Sequence, residues 1–157
     1  MIENWIDELT AVWTINYSSF GTVHSYNLVH DADFPESIDL NELKSHPIAL
    51  TFIPTLEPEY STSGPLIAYW RGETEIHLAP DFSKTRIPQM LLWYKLVLDA
   101  AAGHAKLNNK VELFMIPQEQ DAITLTSLKY GEESPHWGMV VRWIVKERLE
   151  GTLTVSA

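Results

Sequence analysis

The chain has 157 residues, 45% apolar and 11% aromatic, and a formal charge of −10 from 21 acidic and 11 basic residues. That length and apolar share suit one domain with a substantial core and exclude disorder over the whole chain. No cluster of Lys and Arg is available to displace phosphate counterions, which excludes a groove gripping nucleic acid, and the absence of cysteine removes disulfides, thiolate zinc sites and cysteine nucleophiles together.

Ile2, Trp5, Ile6, Leu9, Val12 and Trp13 recur at helical spacing with Glu3, Asp7 and Glu8 between them, which predicts an amphipathic first helix lying on a sheet. Those acids are unlike the basic start of a signal peptide, and the longest apolar runs fall far below the roughly 20 residues of a membrane span. A soluble protein kept in the cytoplasm is the expectation. Ser18 to Tyr26 reads as a turn into a short strand, and Asp31 to His46 as a polar connection with a helical turn near Ile38 to Leu43, capped by Ser37.

Pro47 to Ile53 is a proline-framed apolar run suited to a buried strand, and Pro54 to Pro65 reads as a long loop. Leu66 to Leu78 alternates, with Trp70, Thr74, Ile76 and Leu78 on one parity and Arg71, Glu73, Glu75 and His77 on the other, which predicts a strand with one wet face. A helix is expected over Arg86 to Ala102. One apolar stripe on it runs through Ile87, Met90, Leu91, Tyr94, Leu98 and Ala101 and is assigned to the core. A second, Leu92, Trp93, Leu96 and Ala100, falls nearly opposite. That second stripe is covered either by the first helix or by another subunit, and Leu92, Trp93 and Leu96 are the expected interface residues.

Gly103 and Asn108-Asn109 close the helix, and Lys110 to Ile116, Ala122 to Leu128 and Gly138 to Leu149 read as three further strands. Glu150 to Ala157 is small and polar, a tail that hangs free or pairs with a neighbour. The expected fold is a single α+β domain, 1–157, with a mainly antiparallel sheet and two principal helices packed on it.

Reactive constellations do not stand out. His30, Asp31 and Asp33 with His24 nearby are metal-ligand types at a spacing of no defined geometry, and read as a polar loop. Glu73 and Glu75 read as a solvated strand face beside Arg71, and Glu132 and Glu133 as an acidic hairpin tip. There is no phosphate loop, nucleophile elbow or HExxH pair, so no catalytic, cofactor or metal residue is assigned.

In its order of elements the chain resembles the tail-terminator and tail-completion proteins of long-tailed bacteriophages, the neck family sometimes described as minor tail proteins. The resemblance rests on the opening helix Ile2 to Trp13, the proline-framed strand Pro47 to Pro54, the strand Leu66 to Leu78 and the helix Arg86 to Ala102. It rests further on the Asn108-Asn109 turn and on Leu128-Lys129-Tyr130-Gly131 leading to His136-Trp137-Gly138-Met139-Val140-Val141-Arg142. The resemblance implies a structural, non-enzymatic virion protein assembled in the host cytoplasm. It implies a ring, usually of six copies, that caps the tail tube and joins the head connector, with DNA passing through without specific binding. An acidic lumen suits that passage. The partner-facing loops are then expected around Asp31 and Asp33, around Glu57, Glu59 and Tyr60, and at Glu132 and Glu133. The alternatives are a related neck or head-completion protein, a monomeric module binding a small apolar ligand between helix and sheet with tryptophans lining the pocket, and an enzyme with a dispersed site.

Overall fold

The computed structural model describes residues 1–17, 21–59, 66–131 and 134–149. A 3-10 turn, Ile2–Asn4, leads into helix α1, Ile6–Val12, whose apolar positions bury Ile6, Leu9 and Val12 beside Trp5 and Trp13. Strands β1 (Asn16–Tyr17) and β2 (Gly21–Thr22) form a small antiparallel pair, and β3 is His24–Asn27. Helix α2 is one turn, Leu40–Leu43, capped by the Asp39 carboxylate, which accepts from Asn41 N at 2.9 Å; the expected cap, Ser37, lies two residues too early.

Strands β4 (Ile48–Thr51), β5 (Thr55–Glu59) and β6 (Leu66–His77) follow. Residues 54–59 do not form the expected loop, because Thr55 to Glu59 pair antiparallel with Ile67 to Arg71. After a 3-10 turn at Lys84–Arg86 come α3 (Ile87–Met90) and α4 (Leu92–Ala102), then β7 (Leu113–Met115), β8 (Ile123–Leu128) and β9 (His136–Leu149). The result is an α+β fold whose main sheet has seven strands in the order β3-β4-β6-β9-β7, with β5 on β6 and β8 on β9. Only β3 and β4 run parallel among its pairings.

The side-chain period of two divides β6 and β9 cleanly between two faces. Ala68, Trp70, Thr74 and Ile76 of β6 and Trp137, Met139, Val141, Trp143 and Val145 of β9 are buried on the first face, beneath α1 and α4. The indoles there pack edge to face: Trp5 meets Trp70 at 5.7 Å and Trp143 at 6.1 Å, and Trp13 meets Phe114 at 5.9 Å. Aromatic pairs in this arrangement add to what their buried area alone contributes.

Trp143 lies across Gly72, its register partner, and its indole N–H donates to Thr74 Oγ1 at 3.1 Å. A Cβ on Gly72 would fall inside the van der Waals radius of that ring. Gly72→Ala is therefore expected to cost about 1–3 kcal/mol through overpacking, read as a lower thermal midpoint. A midpoint equal to that of the native chain would show that the ring has room to shift.

The helix expected over Arg86 to Ala102 is interrupted at Leu91, and the assignment of its stripes needs correction. The core face is Met90, Trp93, Val97 and Ala101, whereas Leu91 and Leu98, placed in the core by the sequence reading, are 53% and 50% exposed. Apolar residues surround this helix, so periodicity leaves its rotation undetermined, and the largest side chain takes the interior.

The second sheet face is split. Over β3, β4 and the His77 end of β6, a small core of Ile38, Leu43, Ile48 and Leu50 is closed by Phe34, Leu40 and Tyr130. Phe34 and Phe52 meet edge to face at 5.9 Å within it. Over the other half, built from β5, β7 and the adjoining parts of β6 and β9, the outward side chains are exposed or half-buried.

Candidate functional site

The open half of the second face is the most distinctive surface. Its outward residues alternate with the core positions of the same strands, so the pleat that buries Trp70 and Trp143 also presents Arg71 and Arg142 to solvent. Arg71 Nη1 donates to Glu119 at 2.9 Å and its Nε lies 3.5 Å from Glu57, so hydrogen bonding and charge from Glu119, reinforced by Glu57, hold the guanidinium above its ordinary range. Arg142 reaches Glu73 at 3.1 Å and the Asp121 carbonyl at 3.3 Å. Between the pairs is a cleft of about 390 Å³ whose walls include Phe52, Ile53, Pro117 and Trp143. Leu113 and Met115 of β7 are each 38% exposed on the same side, next to half-buried Ile144 and Lys146. Apolar side chains and ion pairs are thus interleaved around this cleft, a composition found in protein interfaces.

The predicted interface residues are not there. Trp93 is fully buried in the chain's own core, so its assignment to a contact with another copy is corrected; Leu92 and Leu96 are half-buried beside it. Glu57 and Glu59 are exposed, on a strand instead of a loop, with Glu57 facing the open half through Arg71. Tyr60, Glu132 and Glu133 lie outside the described residues. Asp33 is exposed, whereas half-buried Asp31 accepts from Asn27 N at 2.6 Å and so closes its own turn. Trp5, Trp13, Trp93 and Trp143 are all fully buried in the core between helices and sheet.

The histidines separate into unexpected groups. His30, read from the sequence as part of a polar loop, pairs with Asp7 at 3.0 Å, where burial pushes the Asp7 carboxyl up but hydrogen bonds from His30 and Asn27 outweigh it and leave it below its ordinary value. His77, expected on a wet strand face, is fully buried against fully buried His136, with Nδ1 to Nε2 at 2.6 Å. The other His136 nitrogen lies 3.2 Å from the Ser134 carbonyl, and the other His77 nitrogen faces the half-buried Glu75 carboxylate at 3.3 Å. A carbonyl only accepts, so His136 donates to Ser134 and accepts from His77 Nδ1, while His77 Nε2 is buried near Glu75 without a hydrogen bond among the described residues. Burial makes this a tie between the ends of β6 and β9. Burial together with Glu75 and Glu36 pushes the neighbouring Tyr130 hydroxyl up; it donates to the Pro35 carbonyl at 2.7 Å and so pins the covering segment to the same corner.

His24 instead meets His46 and Glu42, whose nitrogen and oxygen atoms lie within 4.8 Å of one another. Long-range pairing brought His77 to His136 and His24 to His46, and only the four-residue spacing of Glu42 and His46 is a local sign of either group. Neither a scan against protein-family models nor a search of curated proteins finds a match to this chain. Among the described residues no helix is long and apolar enough to cross a membrane.

Proposed function

We propose that the protein is a structural subunit that assembles with copies of itself through the open half of its sheet, in a ring of the phage tail-terminator or neck type. The observation that carries this reading is the surface formed by β5, β7 and the adjoining parts of β6 and β9, which no other described residues cover. It combines exposed Leu113 and Met115 with the paired charges of Arg71, Arg142, Glu57, Glu73 and Glu119. Copies carrying a net charge of −10 repel one another, so association favours the place where charge is locally balanced. Arg71, Arg142, Lys146 and Arg148, four of the chain's 11 basic residues, lie on the outward parity of this half. Strand β5 adds an edge whose residues are all exposed, a position from which a neighbouring strand can be paired. In the ring reading the residual negative charge repels DNA in the lumen, and the tail tube and head connector are the further partners.

Light scattering on the native chain and on a Leu113→Lys, Met115→Lys double variant tests the reading. The native chain is expected to form a discrete oligomer, six copies in the ring reading, and the variant a folded monomer with an unchanged circular dichroism spectrum. Assembly that survives the double substitution would sink this surface as the contact. A native chain that stays monomeric at its highest soluble concentration and on added tail tubes would sink the ring.

A further inference from the structure

We propose that His24, Glu42 and His46 form a binding site for a divalent transition metal, with zinc as the ion that their chemistry suits best. Two imidazole nitrogens and one carboxylate oxygen are borderline ligands matched to zinc, and three protein ligands leave a fourth position for water or an incoming donor. Their placement follows from the fold. Glu42 and His46 are four residues apart across the exit of α2, with Glu42 Oε1 and His46 Nε2 at 3.2 Å. Ligand atoms on a tetrahedral zinc stand roughly 3.3 Å apart, given metal bonds near 2.0–2.1 Å, so this pair already has the required separation.

The third ligand arrives from the sheet. His24 pairs with Ile48 in the parallel ladder, and its backbone N–H donates to the Pro47 carbonyl at 2.9 Å, which fixes it opposite His46. The two rings stack with centroids 3.6 Å apart and 27° between their planes. Two imidazolium cations would repel in that position, whereas neutral rings sharing a metal would not. All three ligand atoms lie within 4.8 Å of one another, and His24 and Glu42 are exposed, so rotation about free side-chain bonds closes the remaining gap without moving the backbone. His46 also borders a cleft of about 230 Å³ with Gly21 and Arg86 in its wall, which gives the open position access to solvent. A bound ion would clamp the edge of β3 to α2 and so hold down the segment that covers half of the second sheet face. This site is independent of the assembly surface and stands whether or not the ring reading does.

The test is a titration of the full chain with Zn²⁺ alone and with Co²⁺ alone, after treatment with a chelator. One equivalent of Zn²⁺ is expected to bind and to raise the thermal midpoint by roughly 5–10 °C at a hundredfold excess over Kd, reversibly on adding chelator. Co²⁺ is expected to give the intense visible absorption of a four-coordinate site. His24→Phe keeps a ring to stack on His46 but removes a ligand. It should abolish the Co²⁺ spectrum and the zinc-dependent shift while leaving the metal-free midpoint unchanged. Failure of the native chain to take up a stoichiometric ion would overturn the proposal, as would a shift that persists in both His24→Phe and His46→Gln.

Discussion

Replacing Trp93 with glutamate is expected to unfold the chain itself. The indole is fully buried on the core face of α4, in line with Met90, Val97 and Ala101. Truncating a buried tryptophan typically costs about 3–5 kcal/mol, and a carboxylate at the same place adds the cost of removing a charge from water. A domain whose whole stability is about 5–15 kcal/mol has little left after both. Loss of the near-ultraviolet circular dichroism signal and of a cooperative thermal transition is the expected readout. A folded, cooperative monomer would return Trp93 to the surface and restore the stripe of Leu92, Trp93 and Leu96 as a subunit contact.

Removal of the buried carboxylate at Glu147 is the second large effect. Its Oε1 accepts from the indole N–H of Trp5 at 3.2 Å and of Trp70 at 3.1 Å, and its Oε2 lies 2.8 Å from the Met1 amine. Two contributions compete in Glu147→Leu. Relief of a desolvated charge favours the variant, since buried ionic groups are often replaceable by apolar ones. Against it, two indole donors lose their acceptor inside the core, at about 1–3 kcal/mol each. The second effect is expected to be larger because both donors are buried, Trp5 at 0% and Trp70 at 6% exposure. A net loss of about 2–4 kcal/mol is expected in urea unfolding, with Glu147→Gln costing less because it keeps an acceptor oxygen. Equal stability of the leucine variant and the native chain would mean that the indoles had found other partners.

The strands were legible where one face is wet and the other dry. The alternation from Leu66 to Leu78 matches β6, and the strand expected over Gly138 to Leu149 falls within β9. Thr55 to Glu59 was hidden because Pro58 and three polar residues read as turn chemistry, although an edge strand tolerates both. The helix after Arg86 was legible as a helix, but its rotation was not, since leucines on every side remove the contrast on which periodicity depends. At the candidate sites almost nothing was readable. His77 and His136 are 59 residues apart, and Glu147 is 142 residues from Trp5. Only the register of β6 on β9 and the docking of α1 create these contacts, and neither leaves a local pattern. The charged parity of β6 was read correctly but taken as uniformly wet, because the segment covering its His77 end comes from a distant stretch, residues 28–46.

The position of β9 has a consequence for how the chain reaches this structure. Residues 136–149 are hydrogen-bonded to β6, β7 and β8, and the core indoles close on residues of the same strand. Joining β9 to β6 requires a loop of more than fifty intervening residues to close before any contact compensates the lost chain entropy. Folding is therefore expected to be limited by this non-local pairing, at the speed of a high-contact-order β protein even though helices flank the sheet. Until that pairing forms, the edges of β6 and β8 are unprotected. Those open edges are where an incompletely folded chain pairs with another copy before β9 closes on them.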